Sequence, residues 1–187
     1  DGGGFGTYGG ASLQKLWIGN IASITSDDSV NTYTRQGLID TLTAFMVNTQ
    51  PSRINTQDFV GTFGDEDHSD HHATAFFIKS AHDAYDTTHK LYSYVGYQTH
   101  AMTENVFDID LSGKEDAFFA YTPHDRDACQ NIVECAGMYL NWLKREYWNG
   151  SEQGGDVCSN IAGKQTEVPE GNILVGGQCV LSDSLAC

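Results

Sequence analysis

The sequence predicts an α/β domain in which helices pack against a β-sheet. Stretches with the apolar spacing of helices alternate along the chain with short stretches that have the alternation of strands. The chain has 187 residues, 40% of them hydrophobic and 11% aromatic, which is enough to build one core. Apart from a short helix near the start of the chain, we expect the order helix, strand, helix, strand, strand, helix, helix, and no internal repeat is apparent.

Two helices are predicted before the first strand. Ser12 is the expected N-cap of a short helix, and Thr34 is the expected N-cap of a longer one that ends before Pro51. A strand is predicted from Arg53 to Phe59, because the residues around Ile54 alternate. The longer helix has apolar side chains at helical spacing: Leu38, Leu42, Phe45 and Met46.

The second half of the domain is predicted to hold two further strands and three helices. The strands are residues 90–97 and residues 106–111, both of which alternate. One helix with an apolar stripe precedes these two strands, and a short helix capped by Ser112 follows the second strand. The last helix is expected from Asp127 to Trp148. The stripe of the first of these helices consists of Ala73, Phe77, Ala81 and Ala84.

The charge of the chain excludes two kinds of partner. Ten basic and 25 acidic residues give a formal net charge of −15. Phosphate backbones and anionic membrane surfaces bind proteins of the opposite sign, so we expect neither nucleic acid nor membrane as a partner. No apolar run approaches the roughly 20 residues that a membrane-spanning helix needs.

The five cysteines lie in the last third of the chain and indicate disulfides, hence a secreted protein. The sequon that begins at Asn149 is consistent with a secreted glycoprotein. Because the number of cysteines is odd, one thiol is left free or paired with another chain. Cys129 and Cys135 would be too far apart for a disulfide if both were helical. Either Cys129 precedes the helix, or both pair with other cysteines, for which the tail offers Cys158, Cys179 and Cys187.

The stretch "GDEDHSDHH", residues 64–72, concentrates chemistry at a predicted strand-to-helix turn. We expect Ser69 or Asp70 to cap the following helix, which places His71 in its first turn. His68 is three residues before His71, so the two side chains can reach the same space. Imidazole with carboxylate suits zinc and similar divalent ions. The alternative is a solvated polar loop.

The residues from His68 to Ala73, "HSDHHA", resemble the H-x-D-H-x-A motif of the LmbE/PIG-L family of zinc-dependent de-N-acetylases. The resemblance continues, in the same order, in "LQKLWIGNI", "YTRQGLIDTLTAFM", "INTQDF" and "YLNWLKREYW". It implies the C-terminal portion of a Rossmann-like fold over residues 1–150, followed by a cysteine-containing tail, 151–187. It also implies hydrolysis of the acetamide of an N-acetylglucosamine-type sugar. In this family's scheme His71 is a metal ligand, His68 a catalytic residue, and Asp70 a carboxylate that orients a histidine.

The chain departs from this family in one essential part. The motif of the type A-H-P-D-D, which supplies the other metal ligands and the general base, has no counterpart. Asp27-Asp28 lacks a preceding histidine, and Pro123-His124-Asp125 follows the H-x-D-H motif instead of preceding it. One histidine cannot hold a catalytic zinc ion, which takes about three protein ligands. We therefore expect a separate N-terminal fragment of the same precursor, possibly disulfide-linked, to complete the site; the glycine-rich start resembles the middle of a family member.

Two other functions remain open at this stage. The chain could be a catalytically inactive carbohydrate-binding or structural protein on the same fold. It could also be an unrelated metal hydrolase whose remaining ligands come from this chain. Three tryptophans can either stack on sugar rings or pack internally: Trp17, Trp142 and Trp148.

Overall fold

The computed structural model describes residues 10–125 and 128–155, together with the strand backbones 172–175 and 178–181. It confirms an α/β architecture with a mixed sheet and helices packed against it. The helices are α1 (Leu13–Trp17), α2 (Arg35–Thr49), α3 (Ser69–Ala84), α4 (Asp108–Tyr121) and α5 (Met138–Leu143). The strands are β1 (Ile24–Thr25), β2 (Thr32–Tyr33), β3 (Arg53–Gln57), β4 (His89–Tyr94), β5 (Trp148–Gly154), β6 (Asn172–Val175) and β7 (Gln178–Leu181).

The central unit is a β3–α3–β4 crossover. Strands β3 and β4 are parallel, with Ile54 opposite Leu91, and α3 connects them and packs against β3. Strand β5 joins the other side of β4 in antiparallel orientation, with Glu152 opposite Leu91. The strand crosses the boundary expected at residue 150, so the sheet extends to Gly154. The pairs β1–β2 and β6–β7 form separate two-stranded sheets.

Two buried clusters join the helices to the sheet. Leu91 from β4 packs in one cluster with Met46 and Tyr85, and Phe77 from α3 packs in the other with Leu16 and Ile39. The apolar stripe predicted for α3 is buried except at Ala84. On α2 the prediction of Phe45 as a core residue is wrong, because its side chain is 65% exposed and Ile39 is buried instead.

The capping predictions for the first two helices are confirmed. The Ser12 hydroxyl accepts a hydrogen bond from the Lys15 N–H at 3.1 Å, and the Thr34 hydroxyl accepts one from the Gly37 N–H at 3.0 Å. Each bond satisfies an amide that has no partner within its helix. The local sequence therefore determines where α1 and α2 begin.

The strand predicted over residues 106–111 is wrong. Its residues lead into α4, which begins at Asp108 and has acidic side chains in its first turn that favour the positive end of the helix dipole. The expected cap at Ser112 lies inside this helix. Phe107 and Ile109 are 56% and 83% exposed, so their alternation does not reflect a buried strand face.

The helix predicted from Asp127 to Trp148 is largely wrong. Among the described residues of this range, only Met138–Leu143 are α-helical, and Trp148 already belongs to β5. Gly137, with φ at +101°, precedes the helix. Cys129 and Cys135 form a disulfide across the segment before Gly137, with Cα atoms 5.2 Å apart. This answers the pairing question left open by the sequence.

The remaining cysteine predictions lie outside the described residues, because Cys158, Cys187 and the side chain of Cys179 are not described. Among the described helices, none has the length and hydrophobicity needed to cross a bilayer. Asn149 of the sequon is exposed at the start of β5, and its Oδ1 accepts a hydrogen bond from the Ser93 hydroxyl at 2.7 Å. Its glycosylation stays a prediction.

Candidate functional site

The site lies where the loop after β3 enters α3. The helix is capped by His68, whose Nδ1 accepts a hydrogen bond from the Asp70 N–H at 3.2 Å. The expected cap, Ser69 or Asp70, is therefore wrong by one or two residues. The His71 N–H donates to the His68 carbonyl at 2.9 Å, so His71 does lie in the first turn, as predicted. The His68 and His71 ring centroids are 5.3 Å apart.

A buried carboxylate orients His71. The Nδ1–H of His71 donates to Asp67 Oδ1 at 2.8 Å. The Asp67 side chain is completely buried, whereas that of His71 is 23% exposed. Asp67 Oδ1 also accepts from the backbone N–H groups of His68 and Tyr97 at 2.8 and 3.2 Å. A Cβ at Gly96 would overlap this carboxylate, so glycine at that position permits the close approach.

The electrostatics keep Asp67 ionised. Burial alone would raise its pKa, but the hydrogen bonds from His71 and the backbone outweigh burial, and the pKa lies below its usual value. Its second oxygen, Oδ2, is buried and has no hydrogen-bond partner among the described residues. Because an ionised carboxylate only accepts, it holds the proton of His71 on Nδ1 and leaves the Nε2 lone pair available when the ring is neutral.

The hydrogen bonds also select a tautomer for His68. Because His68 Nδ1 accepts from a backbone amide, its proton in the neutral form must be on Nε2. Neither Nε2 of His68 nor Nε2 of His71 has a hydrogen bond within the described part of the chain. The site therefore presents an N–H donor and a ring-nitrogen lone pair side by side.

The third predicted residue, Asp70, is placed differently from Asp67. Its Oδ1 accepts from the Gln14 N–H at 3.3 Å and so connects α3 to the start of α1. The carboxylate that hydrogen-bonds to His71 is Asp67, which the sequence reasoning did not single out. The four-residue spacing of Asp67 and His71 was the available signal. The orienting role of Asp70 stays a prediction.

The neighbouring His72 has a structural position. It is fully buried, and its Nδ1 donates to the Asp58 carbonyl at 2.9 Å while its Nε2 donates to Asp65 Oδ1 at 2.8 Å. Burial would lower the pKa of His72, but these two hydrogen bonds outweigh burial and raise it. Both ring nitrogens are thus used to hold the loop of residues 58–65 against α3.

Two groups of side chains in the described residues have the spacing of a metal site. One is Asp58, Asp65 and His72, whose ring nitrogens are already engaged. The other is His82, Asp83 and Glu152, whose carboxylates already bind the ammonium group of Lys79 at 2.8 Å. Neither group includes His68 or His71. Zinc at His71 would fit the Asp67–His71 pair but would need further ligands.

His71 lines two open spaces. A cavity of about 760 Å³ extends from it along the turn Tyr97–Ala101, α4 and α5. A groove of about 530 Å³ runs past His71 between β3 and α3 and is lined also by Asn55, Gln57 and Asp70. The exposed His124 lines neither space. The imidazole is accessible from both spaces.

Comparison with known proteins gives no relative. No protein-family model matches the chain, and no curated protein or solved structure is significantly similar to it. The family resemblance therefore depends on the motif residues themselves, and the geometry of His68, His71 and Asp67 is the basis for an assignment of activity.

Proposed function

We propose that this chain is the C-terminal portion of a Rossmann-like, LmbE/PIG-L-type hydrolase that removes the acetyl group from an N-acetylglucosamine-type sugar. A divalent ion, zinc in the first instance, is the proposed cofactor. The observation that carries the proposal is the hydrogen bond between buried Asp67 and His71 at the strand-to-helix turn. Carboxylate, histidine and metal in series is the usual arrangement at catalytic zinc sites, because the carboxylate fixes the ring and increases its basicity.

The rest of the metal site is proposed to come from a separate N-terminal fragment of the same precursor. Among the described strands, β3 pairs with β4 alone, so its other edge is open. Residues of β3 line the groove in which His71 and Asp70 lie. A strand added there would bring its own end loop to His71, which is where the missing ligands and the general base are needed.

The residues of this chain have two tasks in the reaction. A metal ion bound with His71 would supply a water of lowered pKa. The oxygen of that water would bond to the acetamide carbon while the general base of the companion fragment takes its proton. The Nε2–H of His68 would donate a hydrogen bond to the acetamide oxygen as negative charge develops on it. His68 would then pass this proton to the leaving amine, and the proton taken from the water would replace it. The C–N bond breaks, and the products are acetate and a free amino sugar.

The test separates the two histidines in the protein that contains its companion fragment. His71→Ala should lose bound zinc and activity together. His68→Ala should keep its zinc and lose about 10²- to 10⁴-fold in turnover, the usual contribution of an acid or base group. Zinc is measured by elemental analysis and turnover by acetate release, with the exposed His124→Ala as control. Equal zinc loss in the His68 and His71 variants would contradict the assigned roles.

A second candidate is a carbohydrate-binding protein without catalysis. It is favoured by the incomplete ligand set around His71 in the described residues and by the aromatic cavity beside it. A companion fragment without an A-H-P-D-D-type motif, and sugar binding without acetate release, would support it. An unrelated metal hydrolase would instead be supported by stable zinc binding to this chain alone.

A further inference from the structure

We propose that the cavity beside His71 binds a neutral oligosaccharide of three or more sugar rings, with the N-acetylated ring next to His71. The proposed function is used only for the placement of that ring. The binding itself follows from the walls of the cavity, which consist of a connected series of aromatic rings.

The rings form a continuous chain of contacts that begins at the site. Successive centroids are separated by 4.7 Å from His71 to Tyr97, and by 4.8 Å from Tyr97 to Trp142. The series continues over 5.4 Å to Tyr139 and over 5.6 Å to Phe118. All five side chains line the cavity. The cavity therefore has an aromatic lining that continues away from His71.

The aromatic wall is held in place before a ligand arrives. The Trp142 Nε1–H donates to the Tyr97 carbonyl at 2.9 Å, and the Tyr147 hydroxyl donates to the Thr103 carbonyl at 2.7 Å. Tyr97 nevertheless keeps 41% of its surface exposed. Side chains fixed in this way lose little conformational entropy on binding, so their contacts contribute more fully to affinity.

The composition of the wall favours sugar over an acyl chain. The lining contains several tyrosines and one tryptophan but only two aliphatic side chains, Val95 and Leu143. Tyrosine and tryptophan have an apolar face and a polar edge, which matches the C–H faces and hydroxyl groups of pyranose rings. A cavity for a lipid tail would instead be lined mainly by aliphatic residues.

The charges in the cavity favour a neutral glycan. Two cations line it, and each is compensated by a carboxylate: Lys114 lies 3.6 Å from Glu146, and Arg145 lies 3.7 Å from Glu104. Lys114 and Arg145 also donate to backbone carbonyls. The net charge of −15 and the existing partners of both described cations disfavour a sulfated or uronate-containing ligand.

The size of the cavity indicates more than one ring. Its volume of about 760 Å³ lies in the upper part of the range of ligand sites and exceeds what one pyranose occupies. A volume of this size has room for three or more linked units.

Binding to the protein with its companion fragment is measured by calorimetry after zinc has been removed, so that no turnover occurs. We expect tetra-N-acetylchitotetraose to bind at least tenfold more tightly than N-acetylglucosamine. Trp142→Ala should weaken binding of the tetrasaccharide about tenfold, which corresponds to the loss of one aromatic contact. Trp148→Ala is the matched control, since Trp148 is exposed and does not line the cavity. Chemical-shift mapping on the wild-type protein should place the ligand at Tyr97, Tyr139 and Trp142, which guards against a folding defect in the variant.

Several outcomes would overturn the proposal. They are equal affinity for the monosaccharide and the tetrasaccharide, tighter binding of a sulfated tetrasaccharide or of octyl N-acetylglucosaminide, or equal weakening by Trp142→Ala and Trp148→Ala. Tetrasaccharide binding without acetate release would leave the inference intact and would contradict only the hydrolase. Deacetylation of the monosaccharide without any preference for longer glycans would support the hydrolase and contradict only the oligosaccharide inference.

Discussion

At the scale of the residue, the Asp67–His71 pair distinguishes this site from a solvated polar loop. His71 by itself would be one more partly exposed histidine. Its hydrogen bond to a buried, ionised carboxylate fixes the ring and leaves one nitrogen for a ligand. The backbone amides of His68 and Tyr97 hold the carboxylate in turn, so the loop and the turn after β4 both contribute to the position of one imidazole.

Replacing Asp67 by asparagine should weaken zinc binding. The amide can still accept hydrogen bonds, but it is neutral and no longer increases the basicity of His71. We expect a loss of about 10- to 100-fold in zinc affinity or activity, as for other carboxylates that orient a metal-bound histidine. Competitive zinc titration of the protein with its companion fragment measures the effect.

The control for this substitution is Asp40→Asn on α2. Asp40 is exposed and accepts a hydrogen bond only from Gln36 on its own helix, according to the described contacts. It should bind zinc as the wild type does. If Asp67→Asn also kept wild-type affinity and activity, His71 would not be the metal ligand that the proposal requires.

At the scale of the element, the loop of residues 58–65 is joined to α3 by His72. This ring bonds to the Asp58 carbonyl and to the Asp65 carboxylate, and Asp58 in turn accepts from the backbone of Val60 and Gly61. A Cβ at Gly61 would overlap the Asp65 carboxylate. The loop that leads to Asp67 is therefore positioned by an ion pair whose strength depends on pH.

The raised pKa of His72 predicts a loss of stability in alkali. Below about pH 6.5, the unfolded value, His72 is protonated in both states and its contribution is fully present. The contribution disappears as the pH rises through the raised folded-state pKa. Asp65, whose folded-state pKa is lowered despite the opposing effect of burial, contributes above about pH 3.9 and loses its contribution as the pH falls through that lowered pKa.

The measurement is the free energy of unfolding by urea at about pH 6 and pH 9. The difference in unfolding free energy between the wild type and Asp65→Asn isolates this ion pair from the titration of the other histidines. One of these, His82, has a pKa that is lowered by burial and by its neighbour His89. We expect a difference of about 1 kcal/mol at pH 6 that shrinks at pH 9, because deprotonated His72 has lost its positive charge and has one N–H for two acceptors. A difference that is the same at both pH values would show that His72 is not the titrating group.

At the scale of the whole molecule, β3 is one of the two edge strands of the described three-stranded sheet. One side of β3 is unpaired in the described structure. On the sheet face opposite the core, polar and aromatic side chains lie together, and the Arg53 guanidinium is 4.4 Å from the centroid of the Tyr92 ring. Parallel strands are usually paired and covered on both faces. The companion fragment proposed for the metal ligands would also pair this edge.

We predict that the protein contains a second polypeptide linked by a disulfide. Cys129 and Cys135 pair with each other, which leaves an odd number of cysteines for other bonds. Intact mass measured after deglycosylation should exceed that of this chain under non-reducing conditions and fall to it on reduction. Equal masses under both conditions, together with a monomeric mass in native buffer, would exclude the companion.

The sequence by itself determined the short-range features. The helix starts at Ser12 and Thr34 and the placement of His71 in a first turn depend on contacts within a few residues. The strands β3 and β4 were predictable from the local alternation of their side chains, although their pairing joins residues far apart in the chain. The tertiary structure decided what depends on distant partners. Examples are the burial of Ile39 in place of Phe45, the helix in place of a strand after Phe107, and the ring contact of Tyr97 with His71. Such contacts join residues far apart in the chain, and the local spacing of residue types does not indicate how strong they are.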